Sequence, residues 1–291
     1  MPLITSSSNP RISTIKNLHT TRGRKRSGHF LMEGPNLLET VLDAQVLPHE
    51  VYYQPELLQR TSKGRLLLNR LIHLPALSQN QLIEVSTRVI EAISDVNTSQ
   101  GLVSILSLNT FTSERARTRR TQFTHSQSQS SVPSKLQRPV LLILDDLADP
   151  GNMGTILRTA LAADVDTVLL TPNCVDCYSP KVVRAAAGAH VMLPIESDVS
   201  WSTIEEKVKT HCQHKSEVLL AEARGTSLYD ELDLRLPFAL IIGNEAHGPS
   251  PEARALATKS ISIPLANGVE SLNAAMAAGI LLYESVRQNV S

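Results

Sequence analysis

Six polar side chains fall at the ends of apolar runs in the second half of the chain. Asn152 and Arg158 lie in DDLADPGNMGTILR (145–158), Asn244 and Glu245 in FALIIGNEAHGPS (238–250), and Ser271 and Asn273 in ISIPLANGVESLNAA (261–275). Amides and hydroxyls place neutral polar groups, a carboxylate accepts hydrogen bonds, and a guanidinium grips phosphate through a planar fork. The set suits binding a polar cofactor and a phosphate-bearing substrate better than it suits a nucleophilic hydrolase.

Each segment joins an apolar, strand-like run to a short turn. In the first, Pro150 and Gly151 make the turn and Asn152 can cap the helix that follows. The amides at that helix start would welcome a phosphate or carboxylate. Arg158 lies one turn beyond Gly154, on the same helical face. In the second, Gly243–Gly248 has the glycine spacing of a phosphate loop, but Pro249 stands where that loop needs Lys. Gly243 allows close approach of a ligand to the backbone. In the third, Pro264 ends a strand, Asn267–Gly268 turns, and Ser271 or Asn273 caps the last helix. Taken singly, each segment also reads as a capped helix or a structural turn. The chain has no G-x-G-x-x-G dinucleotide fingerprint and no G-x-S-x-G elbow for a Ser–His–acid triad.

The elements that must position these residues follow from hydrophobic periodicity. In the first hundred residues, helices are expected at 8–21, 36–44 and 56–71, and strands at 29–32, 51–53, 82–85 and 101–106. That is a small α/β domain, residues 1–109. Residues 110–137 (TFTSERARTRRTQFTHSQSQSSVPSKLQ) are Ser, Thr, Gln and Arg with little to bury, so 110–138 reads as a flexible linker, with an RNA-ordered arm as the alternative. From Pro139 to the end, strands are expected at 140–144, 165–170, 191–193, 218–221, 238–242 and 261–263. Helices alternate with them at 152–163, 181–187 and 272–289. Apolar strands alternating with helices give a mainly parallel sheet covered on both faces, and ligands of such sheets sit beyond the carboxyl ends of the strands.

Composition narrows the function classes. The 291 residues are 42% hydrophobic with zero net charge, so global charge does not argue for nucleic acid. Its distribution does. Residues 1–35 hold six Lys/Arg against Glu33, and residues 111–138 hold six against Glu114, which leaves the remainder acidic by ten. Basic segments on an acidic body are a common approach to RNA. Cys174, Cys177 and Cys212 suit a reducing compartment. The start MPLITSSSNPRIS lacks an apolar signal core, and no run of about 18 apolar residues offers a membrane span. A cytoplasmic protein is expected, with the mitochondrial matrix as the alternative. Cys174-Val-Asp-Cys177 and His211-Cys212-Gln-His214 match no common zinc spacing, so no metal is expected.

The three segments resemble the motifs of the SpoU/TrmH family of RNA ribose 2′-O-methyltransferases: DPGNMGTILRTA, IIGNEAHGPS and IPLANGVESLNAAMAAGILLYE. The resemblance covers residues 139–289. NPRI near Asn9 and HFLMEGPNLLE at 29–39 are similar to the substrate-binding domain found ahead of many members, and YSPKVVRAAAGA (178–189) also resembles the family, with Lys181 and Arg184 as candidates for RNA phosphate. Asp146 departs from the pattern, which often has an amide there, and the linker looks longer than usual. The resemblance implies a deep C-terminal trefoil knot in residues 139–291, S-adenosyl-L-methionine bound in it, and a homodimer whose partner chain contributes to each site. It assigns Gly243, Asn244, Ile263 and Leu272 to the cofactor. It sets Asn152, Arg158, Glu245, Ser271 and Asn273 at the reacting ribose. The activity so implied is 2′-O-methylation of RNA, with large-subunit ribosomal RNA expected ahead of transfer RNA because of the extra domain. A catalytically silent RNA-binding protein on the same scaffold is the rival.

Overall fold

In the computed structural model of this chain the residues described are 3–78, 80–126, 139–212 and 217–290. They fall into two compact units: Met1–Phe111 with Tyr178–Val191, and Thr112–Cys177 with Met192–Ser291.

Short apolar runs form the strands of the first unit: β1 (Leu3–Ile4), β2 (His29–Glu33), β3 (Glu50–Tyr53), β4 (Leu82–Val85) and β5 (Leu102–Ser107). Their order is β1-β4-β3-β5-β2. The first three are parallel, and β5 runs antiparallel to both its neighbours. The helices are α1 (Pro10–Asn17), α2 (Thr21–Ser27), α3 (Pro35–Asp43), α4 (Pro55–Leu58), α5 (Ser62–Ile72) and α6 (Thr87–Ile93). Ile12 and Ile15 of α1, Tyr52, Ile83 and Val103 of the sheet, and Ile90 of α6 share one buried cluster. The helix expected at 8–21 ends at Asn17, and a second helix starts at Thr21, where Thr20 Oγ1 accepts from Gly23 N–H at 3.0 Å and caps it. Thr61 does the same through Gly64, splitting the helix expected at 56–71.

The second unit is built on seven strands, all paired in parallel: β6 (Val140–Leu144), β7 (Thr167–Leu170), β8 (Ile195–Glu196), β9 (Glu217–Ala221), β10 (Ser227–Leu228), β11 (Phe238–Ile242) and β12 (Lys259–Ser262). Their spatial order is β10-β12-β9-β11-β6-β7-β8. The chain fills one edge with β7 and β8, crosses to lay down β9 and β10, then returns to insert β11 between β6 and β9. Finally β12 enters between β9 and β10. Val140–Leu144 and Phe238–Ile242 are buried at every position, as continuous apolar runs in a covered parallel sheet should be. Where β12 passes Gly225 the backbones nearly touch: a Cβ on Gly225 would lie 2.4 Å from the Ile261 carbonyl carbon, so only glycine fits. Helices α7 (Ser113–Ser126), α8 (Pro150–Ala162), α10 (Trp201–Cys212), α11 (Pro251–Leu256) and α12 (Ala274–Val290) belong to this unit, and α8 packs on α12.

Three expectations are corrected here. Residues 113–126, read as linker, are the helix α7. Its arginines are not idle: Arg120 pairs with Asp164, and Arg117 donates to Thr167 Oγ1 at 3.0 Å and lies 3.6 Å from Glu196. Those contacts, with buried Ala116, order a segment whose composition alone offers little to bury. Residues 127–138 of the expected linker lie outside the described residues. The strand expected at 191–193 is a 3-10 turn (Ala189–Val191), and the strand follows at Ile195–Glu196.

The third correction concerns residues 178–191, expected in the C-terminal domain but packed in the first unit. They include α9 (Pro180–Ala185). Tyr178 lies 4.9 Å, ring to ring, from Phe30, Val182 and Val183 are buried, and Arg184 pairs with Asp95 at 2.6 Å. Apolar and charged partners on β2 and after α6 hold the segment there.

Candidate active site

Strands β6, β11, β9 and β12 end on one side of the second sheet. Beyond their carboxyl ends lies a cleft of ≈ 1120 Å³ lined by Asn152, Gly243, Asn244, Glu245, Ile263, Ser271, Leu272 and Asn273. Those are eight of the nine residues singled out from the sequence. The ninth, Arg158, is exposed on α8 and is not part of the lining.

Hydrogen bonds join the three segments into one unit. Asn152 Nδ2 donates to Glu245 Oε1 at 2.8 Å, and Asn273 Nδ2 donates to Asn152 Oδ1 at 2.8 Å. The direction of this chain follows from the backbone. Asn273 Oδ1 accepts from the N–H groups of Ala275 (2.9 Å) and Met276 (3.3 Å), capping α12. An oxygen must stand there, so Nδ2 is left to donate to Asn152 Oδ1. That leaves Asn152 Nδ2 to donate to the Glu245 carboxylate, which also accepts from Ala148 N–H at 3.4 Å. Of the two caps offered for α12, Asn273 is the one used. At α8 the expected cap is corrected: Asp149 caps the helix, accepting from Asn152 N–H at 2.7 Å, and Asn152 sits in the first turn with its amide free for Glu245 and Asn273.

The loop after β6 is braced from behind. Asp146 has φ +55°, a region that Asp and Asn tolerate better than most residues. Its N–H donates to Thr171 Oγ1 at 2.8 Å and its carbonyl accepts from Asn244 Nδ2 at 2.7 Å. Asn244 Oδ1 accepts from Ala246 and His247 N–H, closing the turn after β11. Buried Asp145 accepts from Ser250 N–H at 2.7 Å. Gly243 was expected to make room for a ligand, but the chain itself uses the space: a Cβ would lie 2.7 Å from Pro249 N.

Four charged residues of the cleft escaped the sequence reading: Glu222, Arg224, Arg254 and Glu270. Glu222 and Arg254 form an ion pair across the end of β9. With Glu245 the lining holds three carboxylates against two guanidiniums, beside apolar walls from Ile242, Ile263, Leu265 and Leu281. That balance fits S-adenosylmethionine, which combines an aromatic base whose faces suit apolar walls, a sulfonium cation and a methionine zwitterion. Among the described residues, the only main-chain bond within the loop 264–273 joins Val269 N–H to Ala266 O, so the loop retains free amides for a polar ligand.

Elsewhere, Cys174 donates to Leu144 O at 3.2 Å and Cys177 is buried. Burial raises both thiol pKa values, so both are held as thiols rather than reactive thiolates. His214 lies outside the described residues. Among those described, no cluster of three or more His, Cys, Asp or Glu could hold a metal ion, and no helix is long and apolar enough to cross a membrane. Of the two expected phosphate contacts in 178–189, Arg184 is taken by Asp95, while Lys181 is exposed.

Both parts of the sequence match known proteins. Residues 139–283 match the SpoU rRNA Methylase family and residues 9–104 the MRM3-like substrate binding domain. An uncharacterized tRNA/rRNA methyltransferase of Synechocystis is 34% identical over 98% of this chain and 93% of its own length. The 23S rRNA (guanosine(2553)-2′-O)-methyltransferase RlmP of Bacillus subtilis is 28% identical over 97% and 98%. The AdoMet-bound rRNA methyltransferase from Sinorhizobium meliloti superposes with a TM-score of 0.74 at 26% identity, covering 99% of this chain and 98% of that one. The chain belongs to the SpoU family of trefoil-knotted, S-adenosylmethionine-dependent RNA ribose 2′-O-methyltransferases.

Proposed function

We propose that this enzyme methylates a ribose of large-subunit ribosomal RNA, working as a homodimer. The observation that carries the site assignment is the Glu245–Asn152–Asn273 hydrogen-bond chain, which ties the first turn of α8 and the loop after β11 to the start of α12. Gly243, Asn244, Ile263 and Leu272 line the cleft and would hold the cofactor. When bound, S-adenosylmethionine supplies an activated methyl group, so the protein's task is positioning and proton management. Asn152 and Asn273, each fixed in orientation, place the ribose, with Ser271 beside them. Glu245 holds Asn152 and is one of three carboxylates in the lining, a balance that would favour a cationic cofactor. Arg158 clamps the phosphate next to the reacting hydroxyl by charge-assisted hydrogen bonds, and the hydroxyl proton leaves to phosphate or water, because a guanidinium is a poor base.

Dimerisation answers a gap in this assignment. Arg158 is not in the lining of its own chain's cleft. On α12, Met276 and Tyr283 are 60% and 49% exposed, with Ile280 between them on the same helical face, and α12 packs on the helix that bears Arg158. A symmetric contact through this apolar stripe would bury it and complete each cleft with the partner subunit's Arg158. The choice of large-subunit RNA is supported by the B. subtilis relative's substrate and by the N-terminal substrate-binding match. The cytoplasm is the proposed compartment.

The test is methyl transfer from labelled cofactor to unmodified rRNA and tRNA pools, with nucleoside mapping. The expected product is a 2′-O-methylnucleoside in large-subunit rRNA. Label confined to tRNA would overturn the choice of RNA, and label on a base would overturn the reaction.

A further inference from the structure

The first unit holds an exposed surface that is no part of the cleft lining. His29 opens β2 and His49 immediately precedes β3, the strands on either side of β5. Their rings lie 4.6 Å apart, tilted by 38°. Both backbones are pinned to the end of β5: His49 N–H donates to Ile105 O at 2.8 Å, and Gly28 O, just before His29, accepts from Leu108 N–H at 2.8 Å. Nδ1 of His29 lies 2.8 Å from Ser27 O. A carbonyl only accepts, so Nδ1 carries the proton and the ring's rotation is set. His49 is exposed, His29 is half-buried, and neighbouring Leu47 is 45% exposed.

The helix leading into His29 is α2. Arg22, Lys25 and Arg26 stand three and four residues apart, on one exposed face. Arg24 turns inward, donating to Leu18 O at 2.7 Å and to Thr21 Oγ1 at 3.1 Å, and so anchors the helix beneath that face. Aromatic rings together with a row of exposed cations on the helix that leads into them suit unpaired RNA: bases stack on the rings and phosphates meet the cations. The pattern does not suit an apolar peptide, because the cations would be left to desolvate.

We propose that His29 and His49 form a stacking platform for an unpaired base of the substrate RNA, with Arg22 and Arg26 taking the flanking phosphates. This rests on RNA as the substrate, and it assigns the N-terminal unit a defined contact surface. The test titrates the full-length protein into a short oligouridylate with one central 2-aminopurine, whose fluorescence is quenched by stacking. The wild type should quench. His49→Ala should weaken binding about five- to a hundredfold and remove the quench, and His49→Tyr should restore both. Arg22→Ala with Arg26→Ala should weaken binding and flatten the log–log salt dependence by about 1.4. Undiminished quenching by His49→Ala overturns the platform, as does displacement of the oligonucleotide by polyglutamate from an unquenched complex, which would assign the surface to an acidic protein. Methyl transfer to rRNA by the same preparation separates the two readings. A wild type that methylates rRNA or tRNA without quenching refutes the platform alone; one that methylates neither RNA pool and does not quench refutes RNA as substrate.

Discussion

Asn273 donates from Nδ2 to Oδ1 of Asn152 at 2.8 Å, across 121 residues of chain. The bond is polarised by the two backbone N–H groups at the start of α12 and ends at the Glu245 carboxylate, so each amide has only one workable orientation. This is preorganisation made from two neutral amides anchored on a carboxylate, and it can be broken without disturbing a buried core.

Asn152→Asp is the sharpest probe of it. The new carboxylate keeps the size of the side chain but faces Glu245 where an N–H stood, and it cannot donate. Turnover should fall at least about a hundredfold, comparable to losing a fixed donor at a reacting centre. Folding should change little, because Asn273 and Glu245 are exposed and a single surface hydrogen bond contributes only about 1 kcal/mol. Methyl-transfer rates beside thermal melts decide the matter: a variant that loses stability in step with activity would make the chain structural.

Much of this site was legible in the sequence because its residues stand where apolar runs give way to turn residues, and parallel sheets collect those points at one edge. The strand order was not. Apolar runs such as 238–242 and 140–144 are alike in pattern, and nothing in either says that β11 returns to lie beside β6. The Glu222–Arg254 pair stayed hidden for a related reason: the two meet only because β9 neighbours β11, whose following helix bears Arg254. Asp149 and Asn152 both suit the α8 cap by residue type, and only the fold decides that Asp149 is the one that accepts. Helix α7 was missed because its partners, Asp164, Thr167 and Glu196, lie 44 to 79 residues away in sequence.

If the partner subunit's Arg158 completes each cleft, two inactive variants should rescue each other. Arg158→Ala alone should abolish turnover while calorimetry still finds cofactor binding, and Arg158→Lys should not restore it, since the planar fork is lost. Co-refolding Arg158→Ala with Asn152→Ala should then recover about a quarter of wild-type activity, from mixed dimers with one intact site each. No recovery, with mixed dimers verified by mass, would place Arg158 in the cleft of its own chain.

The thiols give a pH prediction. Burial first, then the nearby Asp176 carboxylate, raises the Cys177 pKa above its ordinary value of 9.0, and burial also raises that of Cys174. A thiol raised in the folded state binds its proton more tightly there than when unfolded. Its contribution to stability is therefore complete below pH 9.0 and fades as pH climbs past that value. The melting temperature of the wild type should drop more steeply between pH 8 and 10.5 (roughly the span of thiol titration) than that of Cys177→Ala. In a Cys212→Ser background, iodoacetamide at neutral pH should modify Cys174 slowly and Cys177 only after unfolding.

The charge balance of the cleft predicts how the enzyme distinguishes its cofactor from the spent product. S-adenosylmethionine carries one more positive charge than S-adenosylhomocysteine, located at sulfur. Three carboxylates and two guanidiniums line the cleft, and Arg254 is half exposed, so its pairing with Glu222 contributes about 0–1 kcal/mol to folding. Removing it should leave the fold intact and the cleft more acidic. Arg254→Ala should therefore shift the ratio of affinities toward S-adenosylmethionine by about two- to tenfold, the range expected for one charge acting over several ångströms of partly screened medium. Glu222→Gln should shift the ratio the other way, and both shifts should shrink as salt rises. Calorimetric titration of each ligand at low and high salt measures this directly. If both variants lose the two ligands in equal proportion, the pair shapes the pocket instead of tuning its charge.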